Sequence, residues 1–407
     1  MPTSRLTPLL EAKLDELGKS GRLKGAESVT RGVLPPADGK GPRFLIEGSD
    51  KAFLRMNSNG YLGLSVDETL MAIEEEAVGV YGTGPGAVRF ISGTWAPHVA
   101  LEKRLAKFHG REAGMLFSSA YATVMGVLPP LITGKTAVIS DELNHNCIIN
   151  AIALARPAQK RIYHHLDLDE LERHLGVLAK TCDRAIIVTD GVFSMRGDHA
   201  PLDKIKKLAE AFDPLFEENV LLVVDDSHGV GGFGKTGRGT EEITGSGGVD
   251  LLVATLGKAF GVNGGYVVAS ETIIRYLRET SPFYIYSNPI TPGEAAAGLA
   301  AVEIVDSPEG AERLDHLRAM TARFRDGLKQ IGLETLAGEH PVVPLLVRDT
   351  HRTSLLVAYL RENAILATGL NYPVVPKGED EIRFQISAHH TAADIDEVLS
   401  VLERFSS

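Results

Sequence analysis

The chain has 407 residues, of which 44% are hydrophobic and 23% charged, and its formal net charge is −11. This composition is ordinary for a soluble globular protein, and an acidic balance without blocks of Lys and Arg argues against a nucleic-acid-binding surface. Two cysteines are too few for a disulfide framework, and no apolar stretch is long enough for a membrane span, so a cytoplasmic protein is expected.

The first 56 residues predict a helix followed by an extended arm. Leucines recur at helical spacing between charged residues, which predicts an amphipathic helix over residues 7–24. Prolines and glycines are frequent over residues 31–51 and indicate an extended arm or linker. We therefore expect residues 1–56 to form an N-terminal helix and arm.

From Gly114 onward, short apolar runs alternate with segments of helical periodicity. This pattern predicts an α/β fold with a mostly parallel central sheet and helices on both of its faces. The predicted strands cover residues 115–117, 136–139, 161–163, 185–189, 220–225, 251–255 and 266–268. We assign residues 57–291 to a large domain of this kind, and residues 292–407 to a smaller C-terminal α+β domain.

The segment Asp250–Gly261 is a predicted buried strand that leads into Lys258. Lysine is among the residues least often buried, and burial lowers the pKa of its ammonium group. A neutral lysine amine is the usual route to a Schiff base with a carbonyl compound. A surface lysine that merely follows a strand is the alternative interpretation of this segment alone.

Polar side chains follow three predicted strands. Asp225, Asp226 and His228 follow one of them, and His145 and Ser194 follow two others. Open α/β sheets bind ligands at the carboxyl ends of their strands. Asp and His are also metal ligands, but no third ligand stands at motif spacing, so we predict no metal site.

The loop Gly229–Thr236 formally matches the phosphate-loop pattern G-x-x-x-x-G-K-[ST]. In a true phosphate loop the pattern follows a strand directly and opens a helix. Here residues 225–228 come between the strand and the loop, and Gly237 and Gly239 follow where a helix should begin. We therefore predict that this loop binds no nucleotide.

Taken together, the motifs resemble those of the α-oxoamine synthases, fold-type I pyridoxal-phosphate enzymes that condense an amino acid with an acyl-CoA. The likeness runs from about residue 50 to the C-terminus. Its parts, in the expected order, are Asn59-Gly-Tyr-Leu-Gly-Leu, Arg89-Phe-Ile-Ser-Gly-Thr, Asn144-His145, Asp190-Gly-Val-Phe-Ser194-Met, Asp225-Asp-Ser-His228-Gly, Thr255-Leu-Gly-Lys258, Ser287-Asn288, Tyr372-Pro-Val-Val-Pro-Lys-Gly and Arg383-Phe-Gln-Ile-Ser.

The resemblance implies roles for the residues around the cofactor ring. Lys258 would bind the aldehyde of pyridoxal phosphate covalently and later move the Cα proton of the substrate. Asp225 would pair with the pyridine nitrogen and keep it protonated. His228 and Ser194 would contact the ring hydroxyl, and His145 would stack on the ring and polarise the acyl carbonyl.

The resemblance also implies how the cofactor phosphate is held. Thr255 and the backbone of Ala120 and Tyr121 would bind it, helped by Ser287 of the partner subunit. A homodimer with shared active sites is therefore expected.

The remaining roles concern the substrates. Asn59 and Arg383 would hold the carboxylate of the amino acid, and Arg89 belongs to the loop that meets the acyl group. Phe90 stands in that loop where users of succinyl-CoA carry an asparagine. Arg196 stands where relatives usually have Asp.

The predicted reaction joins a small amino acid, glycine in the first place, to an acyl-CoA and gives an α-amino ketone or a β-keto acid plus CoA. The Val-Arg-Phe run and the Tyr372 motif look most like glycine C-acetyltransferases. One alternative is a decarboxylating synthase with a longer acyl chain, similar to 8-amino-7-oxononanoate synthase or serine palmitoyltransferase. An aminotransferase or aldolase on the same fold is another.

Overall fold

The structure is a computed structural model, and it describes residues 2–20, 22–23, 27–372 and 374–406. The strands of this part of the chain are β1 Thr30–Leu34, β2 Arg43–Ile46, β3 Ala52–Arg55, β4 Ala113–Phe117, β5 Thr136–Asp141, β6 Gln159–Tyr163, β7 Arg184–Asp190, β8 Asn219–Asp225, β9 Leu251–Thr255, β10 Gly265–Ala269, β11 Val342–Leu346, β12 Ile365–Leu366, β13 Thr368–Leu370 and β14 Glu381–Gln385.

The helices of the same residues are α1 Thr7–Lys19, α2 Glu68–Tyr81, α3 Ala96–Phe108, α4 Ala120–Leu131, α5 Asn146–Ala155, α6 Leu168–Leu178, α7 Leu202–Phe212, α8 Thr240–Thr244, α9 Glu271–Thr280, α10 Pro282–Ile285, α11 Pro292–Val305, α12 Pro308–Gln330, α13 Thr350–Glu362 and α14 Ala392–Ser406. Within the described ranges, no helix is both long enough and apolar enough to cross a membrane.

The centre of the fold is a seven-stranded sheet in the order β4-β10-β9-β8-β7-β5-β6. Strands β9, β8, β7, β5 and β6 pair in parallel, and only β10 runs antiparallel to its two neighbours. The seven strands are the seven that the sequence predicts. The predicted α/β fold with a mostly parallel central sheet is therefore confirmed.

Helices cover both faces of this sheet. Neighbouring residues of one strand point to opposite faces, so they enter different hydrophobic clusters. Ile187 and Val224 belong to one cluster, which α6 and α7 complete, whereas Ile186 and Val223 belong to another, which α4 and α5 complete. Burial on both faces explains why these strands read as continuous apolar runs rather than as an alternating pattern.

The N-terminal region has more regular structure than the predicted arm. Strands β1, β2 and β3 form an antiparallel sheet, and β12 adds to β3 in parallel. Gly48, with φ of 75°, turns the chain between β2 and β3. Helix α1 ends at Lys19, before the predicted end of the helix over residues 7–24; positions 21 and 24 lie outside the described residues.

The C-terminal region contains α11 to α14 and a three-stranded sheet in the order β11-β14-β13. The β3–β12 pairing joins this region to the N-terminal sheet. The division into residues 1–56, 57–291 and 292–407 stays a prediction. Strand β14 carries Arg383, one of the predicted site residues. Ile382 and Phe384 on either side of it are buried in the core, so the Arg383 side chain faces the other way.

The glycine loop Gly229–Thr236 lacks the geometry of a phosphate loop. Strand β8 ends at Asp225, and the next helix begins only at Thr240. The carboxylate of Glu242 accepts hydrogen bonds from the Thr236 N–H at 3.0 and 3.1 Å and from the Arg238 N–H at 3.2 Å. Since a carboxylate of the protein already takes these donors, a phosphate would meet a like charge there.

We expect Lys235→Ala to leave ATP binding unchanged, because Lys235 is exposed and the loop offers no free cradle of N–H groups. Isothermal titration of the wild type and the variant with magnesium ATP should give no specific heat in either protein. Magnesium-dependent ATP binding that disappears in the variant would contradict this interpretation.

Candidate active site

A cavity lies beyond the carboxyl ends of β5, β7, β8 and β9, beside the start of α4. Most of the predicted site residues line it together. They are Ala120, Tyr121, His145, Ser194, Asp225, His228 and Lys258. Cys147, Asp190, Val192 and Ser227 also line the cavity, although no role was predicted for them. Motifs that are far apart in the sequence therefore form one site.

Lys258 lies in the loop that joins β9 to β10. The Leu256 N–H donates to the Gly264 carbonyl at 2.9 Å and closes this loop. Gly261 has φ of 75°, and a Cβ on it would stand 2.4 Å from the Ser65 backbone nitrogen, so no larger residue fits. Burial, partly opposed by the nearby carboxylates, lowers the pKa of the Lys258 amine to about 8. At a given pH, more of this amine is therefore neutral than of an exposed lysine.

The carboxylate of Asp225 has one oxygen engaged and one available. Its Oδ1 accepts hydrogen bonds from the Ser227 hydroxyl at 2.5 Å and from the Ser227 N–H at 3.1 Å. The Cys147 thiol is a weak donor to Oδ2 at 3.6 Å. A protonated ring nitrogen would be a stronger partner for Oδ2, so this carboxylate fits pyridoxal phosphate.

His228 is a buried, neutral histidine. Burial and the positive charges of Lys258 and Arg383 hold the pKa of His228 well below its ordinary value. Its Nδ1 lies 2.6 Å from the Tyr61 hydroxyl. The positive charge of Arg383 also acts on the Tyr61 hydroxyl and opposes burial, which raises the pKa of Tyr61. Tyr61, which is fully buried, stood in a recognised motif without a predicted role.

His145 is the N-cap of α5. Its Nδ1 accepts a hydrogen bond from the Cys147 N–H at 3.3 Å, which leaves Nε2 as the protonated nitrogen. Burial lowers the pKa of the imidazole, although Asp225 opposes this. The backbone N–H of His145 donates to Asp190 Oδ2 at 3.1 Å. Burial, together with the charge of Asp225, raises the pKa of Asp190 well above its ordinary value.

The start of α4 offers the phosphate site. Ser119 is the N-cap, and its hydroxyl accepts a hydrogen bond from the Ala122 N–H at 3.1 Å. Gly265 packs so closely that a Cβ on it would lie 2.3 Å from the Ala120 nitrogen. A helix N-terminus with exposed N–H groups favours a phosphate dianion. The Thr255 hydroxyl is bonded within its own loop, to the Gly264 carbonyl at 3.1 Å, and its contact with phosphate stays a prediction.

Arg383 and Asn59, which the sequence predicts as a pair, are in contact. The Asn59 side-chain oxygen accepts hydrogen bonds from Arg383 Nη2 at 3.2 Å and from Gln385 Nε2 at 2.5 Å. Arg383 Nε is buried and has no hydrogen-bond partner in the described part of the chain. A guanidinium with an unused buried donor suits a substrate carboxylate.

Five predicted residues do not line this cavity within one chain: Asn59, Thr255 and Arg383, described above, and Arg89 and Ser287. Arg89 forms a buried ion pair with Glu102, with nitrogen–oxygen distances of 3.0 and 3.1 Å. Its neighbour Phe90 is 67% exposed. Ser287 is partly buried and follows Tyr286, which is 80% exposed. The predicted contacts of Arg89 with substrate and of Ser287 with the phosphate of a second subunit stay predictions.

A charged histidine joins two loops of the site. His165 Nδ1 lies 3.1 Å from Asp141 Oδ1, and its Nε2 lies 3.3 Å from Asp198 Oδ2. Asp141 ends β5 just before the His145 loop, and Asp198 closes the loop that carries Ser194. Burial lowers the pKa of His165, but the two carboxylates outweigh this and raise it to about 9.

We expect the His165 ion pairs to stabilise the fold in a pH-dependent way. Because the folded-state pKa is raised, the contribution is fully present below pH ~6.5 and is lost as pH rises through about 9. Its size is on the order of 1–2 kcal/mol, after allowance for partial exposure. Chemical denaturation at pH 6 and pH 10 should show this loss in the wild type and not in His165→Gln. An equal pH dependence in both proteins would exclude the effect.

The class I and II aminotransferase family matches residues 51–402 of the chain. The 8-amino-7-oxononanoate synthase of Thermosipho melanesiensis is 38% identical over 90% of each chain. The 8-amino-7-oxononanoate synthase 1 of Bacillus velezensis is 40% identical over 89% of this chain and 90% of its own length.

Solved structures agree with the fold. The serine palmitoyltransferase of Sphingomonas wittichii superposes with a TM-score of 0.88 at 24% identity, over 99% of this chain and 98% of the other. The match along almost the whole chain confirms the fold-type I prediction. The two synthases named above confirm the enzyme class, and pyridoxal phosphate is its cofactor. The chain belongs to the class I and II aminotransferase family, in its branch of pyridoxal-phosphate-dependent α-oxoamine synthases.

Proposed function

We propose that this protein is a decarboxylating α-oxoamine synthase that joins a small amino acid to an acyl chain longer than acetyl. The observation that carries the reaction class is the convergence of Lys258, Asp225, His145 and His228 in one cavity, with Arg383 near enough for its charge to act on Lys258 and His228. The name of the relatives supports the longer chain. An 8-amino-7-oxo product has an amine and a ketone on adjacent carbons, which is the arrangement that acyl transfer followed by loss of the carboxyl group leaves.

The position of each side chain in the site suits one step of the reaction. Arg383 would bind the carboxylate of the amino acid through its unused donor, and the neutral Lys258 amine would remove the Cα proton. Bound pyridoxal phosphate would accept the electron pair that this proton leaves behind. Asp225 would hold the proton of the ring nitrogen, and His228 would contact the ring hydroxyl.

The acyl transfer itself needs a donor at the carbonyl oxygen. His145 carries its proton on Nε2 and lines the cavity, so it would polarise the thioester carbonyl. A Cα–carbon bond forms, the carbon–sulfur bond breaks, and CoA leaves as a thiol after it takes up a proton. The carboxyl group then leaves as carbon dioxide, and Lys258 would return a proton to Cα.

A homodimer in the cytoplasm belongs to the same proposal. Phe90 and Tyr286 are large apolar residues that are mostly exposed in a single chain. Exposed apolar surface of this kind favours association with a second copy. The predicted role of Ser287, next to Tyr286, requires such a second copy.

The test of the reaction is release of CoA thiol, measured across glycine, alanine and serine with acetyl-, succinyl- and octanoyl-CoA. Thiol release with one amino acid that is fastest from octanoyl-CoA would support the proposal. Glycine C-acetyltransferase activity remains the second candidate, because of the Val88–Phe90 run, and it predicts fastest release from acetyl-CoA with glycine. Transfer of the amino group to a keto acid without thiol release would instead indicate an aminotransferase.

Phe90 stands where users of succinyl-CoA carry an asparagine. Because no amide is available there to bind the succinyl carboxylate, we expect the protein to use succinyl-CoA poorly. Loss of one well-placed polar contact raises the free energy of the transition state by about 1–3 kcal/mol, which lowers kcat/KM roughly 5- to 150-fold. Phe90→Asn should therefore raise the preference for succinyl-CoA over acetyl-CoA, whereas Ile91→Asn, at an equally exposed neighbour, should not. If the wild type uses succinyl-CoA best in direct competition, this interpretation of the loop is wrong.

A further inference from the structure

A separate cleft lies between strand β3, the loop that carries Asn59 and the turn that follows β14. We call it the Arg55 cleft. Its polar lining consists of Arg55, His389, His390 and the three serines Ser58, Ser65 and Ser387. None of the described residues that line it also lines the cofactor cavity. The cleft is therefore a second concentration of polar side chains, apart from the proposed reacting groups.

Arg55 is a half-buried cation without a partner. Its guanidinium carbon lies 3.8 Å from the centre of the Phe44 ring, so the side chain stacks on a buried aromatic face. Across the described ranges this side chain forms neither an ion pair nor a hydrogen bond, and burial alone lowers its pKa. A guanidinium that stacks through its face keeps its N–H edges free, and these edges match the oxygens of an oxyanion.

The carboxylates around the cleft are paired with other arginines. Asp67 and Asp394 act on the pKa values of the two histidines of the cleft. Asp67, however, lies 2.6 Å from Arg313, and Asp394 lies 2.6 Å from Arg43. Charges that leave water normally find a partner in the protein or in a ligand. The positive charge of Arg55 is therefore available to an anion that binds from solution.

Three further hydrogen-bond donors line the cleft. The Ser58 hydroxyl accepts a hydrogen bond from the Gly60 N–H at 3.2 Å, which leaves its own proton free to be donated. The exposed Ser65 hydroxyl and the His389 ring have no hydrogen-bond partner in the described part of the chain. Burial and the charges of nearby arginines lower the pKa of His389, so its ring is neutral at pH 7 and carries one N–H.

We propose that the Arg55 cleft binds a phosphate group, with Arg55 as the cation and with Ser58, Ser65 and His389 as further donors. A phosphate has three strong acceptor oxygens, which suit donors from several directions better than a planar carboxylate does. Because Ser58 directly precedes Asn59, a bound phosphate would also restrain the loop predicted to meet the amino-acid carboxylate.

The phosphate has two possible sources, inorganic phosphate and the phosphates of CoA. The first is independent of the proposed function, since it requires no substrate. The second rests on that function, because it assumes that the acyl donor is a CoA thioester.

Inorganic phosphate is the first probe. Isothermal titration of sodium phosphate into the holoenzyme, at constant ionic strength, should show one site per chain, because the bound cofactor already fills its own phosphate site. Arg55→Gln should weaken this binding at least about 10-fold, since it removes the charged donor. A holoenzyme that binds no phosphate, or an unchanged affinity in Arg55→Gln, would overturn the proposal.

Arg361→Gln is the matched control. Arg361 also lies over an aromatic ring of the N-terminal sheet, with 5.7 Å between its guanidinium carbon and the centre of the Phe53 ring, but it is exposed and lies outside the cleft. Its loss should change phosphate affinity by less than about twofold, because solvent screens an exposed charge. Equal effects of Arg55→Gln and Arg361→Gln would count against the cleft.

A second pair of variants tests the cleft if Arg55→Gln does not fold, since that change also removes the stacking on Phe44. Ser65→Asp adds a carboxylate at an exposed position and should weaken phosphate binding at least about 10-fold by repulsion. Ser65→Asn has nearly the same shape without the charge and should stay within about threefold of the wild type. An unchanged phosphate affinity in Ser65→Asp would exclude the cleft.

Competition identifies the source of the phosphate. If CoA occupies the cleft, saturating inorganic phosphate should raise its apparent Kd, and Arg55→Gln should weaken CoA and phosphate by similar factors. If neither change affects CoA, the cleft takes free phosphate. Thiol release, assayed separately, tests the proposed function: phosphate binding without release would refute the reaction and leave the cleft standing.

Discussion

Lys258→Ala should abolish the covalent link between protein and cofactor and lower kcat by at least about 10³-fold. The reason is geometric, since Lys258 is the one amine among the residues that line the described cavity. Burial also brings the pKa of this amine to about 8, so it can both form the link and remove a proton. The wild type should be yellow and should carry the cofactor on this lysine after borohydride reduction and peptide mapping.

Lys235→Ala is the matched control for this prediction. Its lysine also follows a glycine in a loop after a core strand, but it is exposed and lies outside the cavity. The colour of the Lys235→Ala variant, the peptide that carries its reduced cofactor and its kcat should all match those of the wild type. A Lys258→Ala protein that still holds the cofactor covalently and turns over would rule out the assigned role.

The central sheet could be predicted because its strands are buried on both faces. Strands β5, β9 and β10 are buried at every residue, so each reads as an apolar run that needs no knowledge of its neighbours. The sheet of β1, β2 and β3 was missed. Its turns contain glycines and prolines, which are also typical of a linker. The parallel partner of β3 is β12, which lies more than 300 residues later in the chain, so no local pattern predicts this pairing.

Site residues that belong to a recognised motif could be predicted from the sequence. Site residues that only the fold brings to the cavity could not. Asp225 and Lys258 stand in recognisable segments, and the structure brings both to one cavity. Asp190 and Cys147 also stand beside recognised residues in the sequence. Only the structure shows that both are buried near the Asp225 carboxylate and so belong to the same site.

Mixing two inactive variants should restore activity, and this tests whether the active site is shared. The motif resemblance assigns Lys258 and Ser287 of one chain to different active sites of a dimer. Lys258→Ala removes the reacting amine, and Ser287→Glu would place a carboxylate against the cofactor phosphate, where like charges repel. Each homodimer should therefore be inactive.

In a heterodimer of the two variants, one site carries both lesions and the other carries neither. After complete subunit exchange at equal concentrations, half of the dimers are heterodimers, and each has one intact site of two. Activity should therefore return to about a quarter of the wild-type value. Lys258→Ala mixed with Asp225→Ala is the control, because both residues line the cavity of the same chain, and no exchange can produce an intact site from them. If light-scattering and mass measurements show exchange while the first mixture stays inactive, Ser287 does not serve the partner's site.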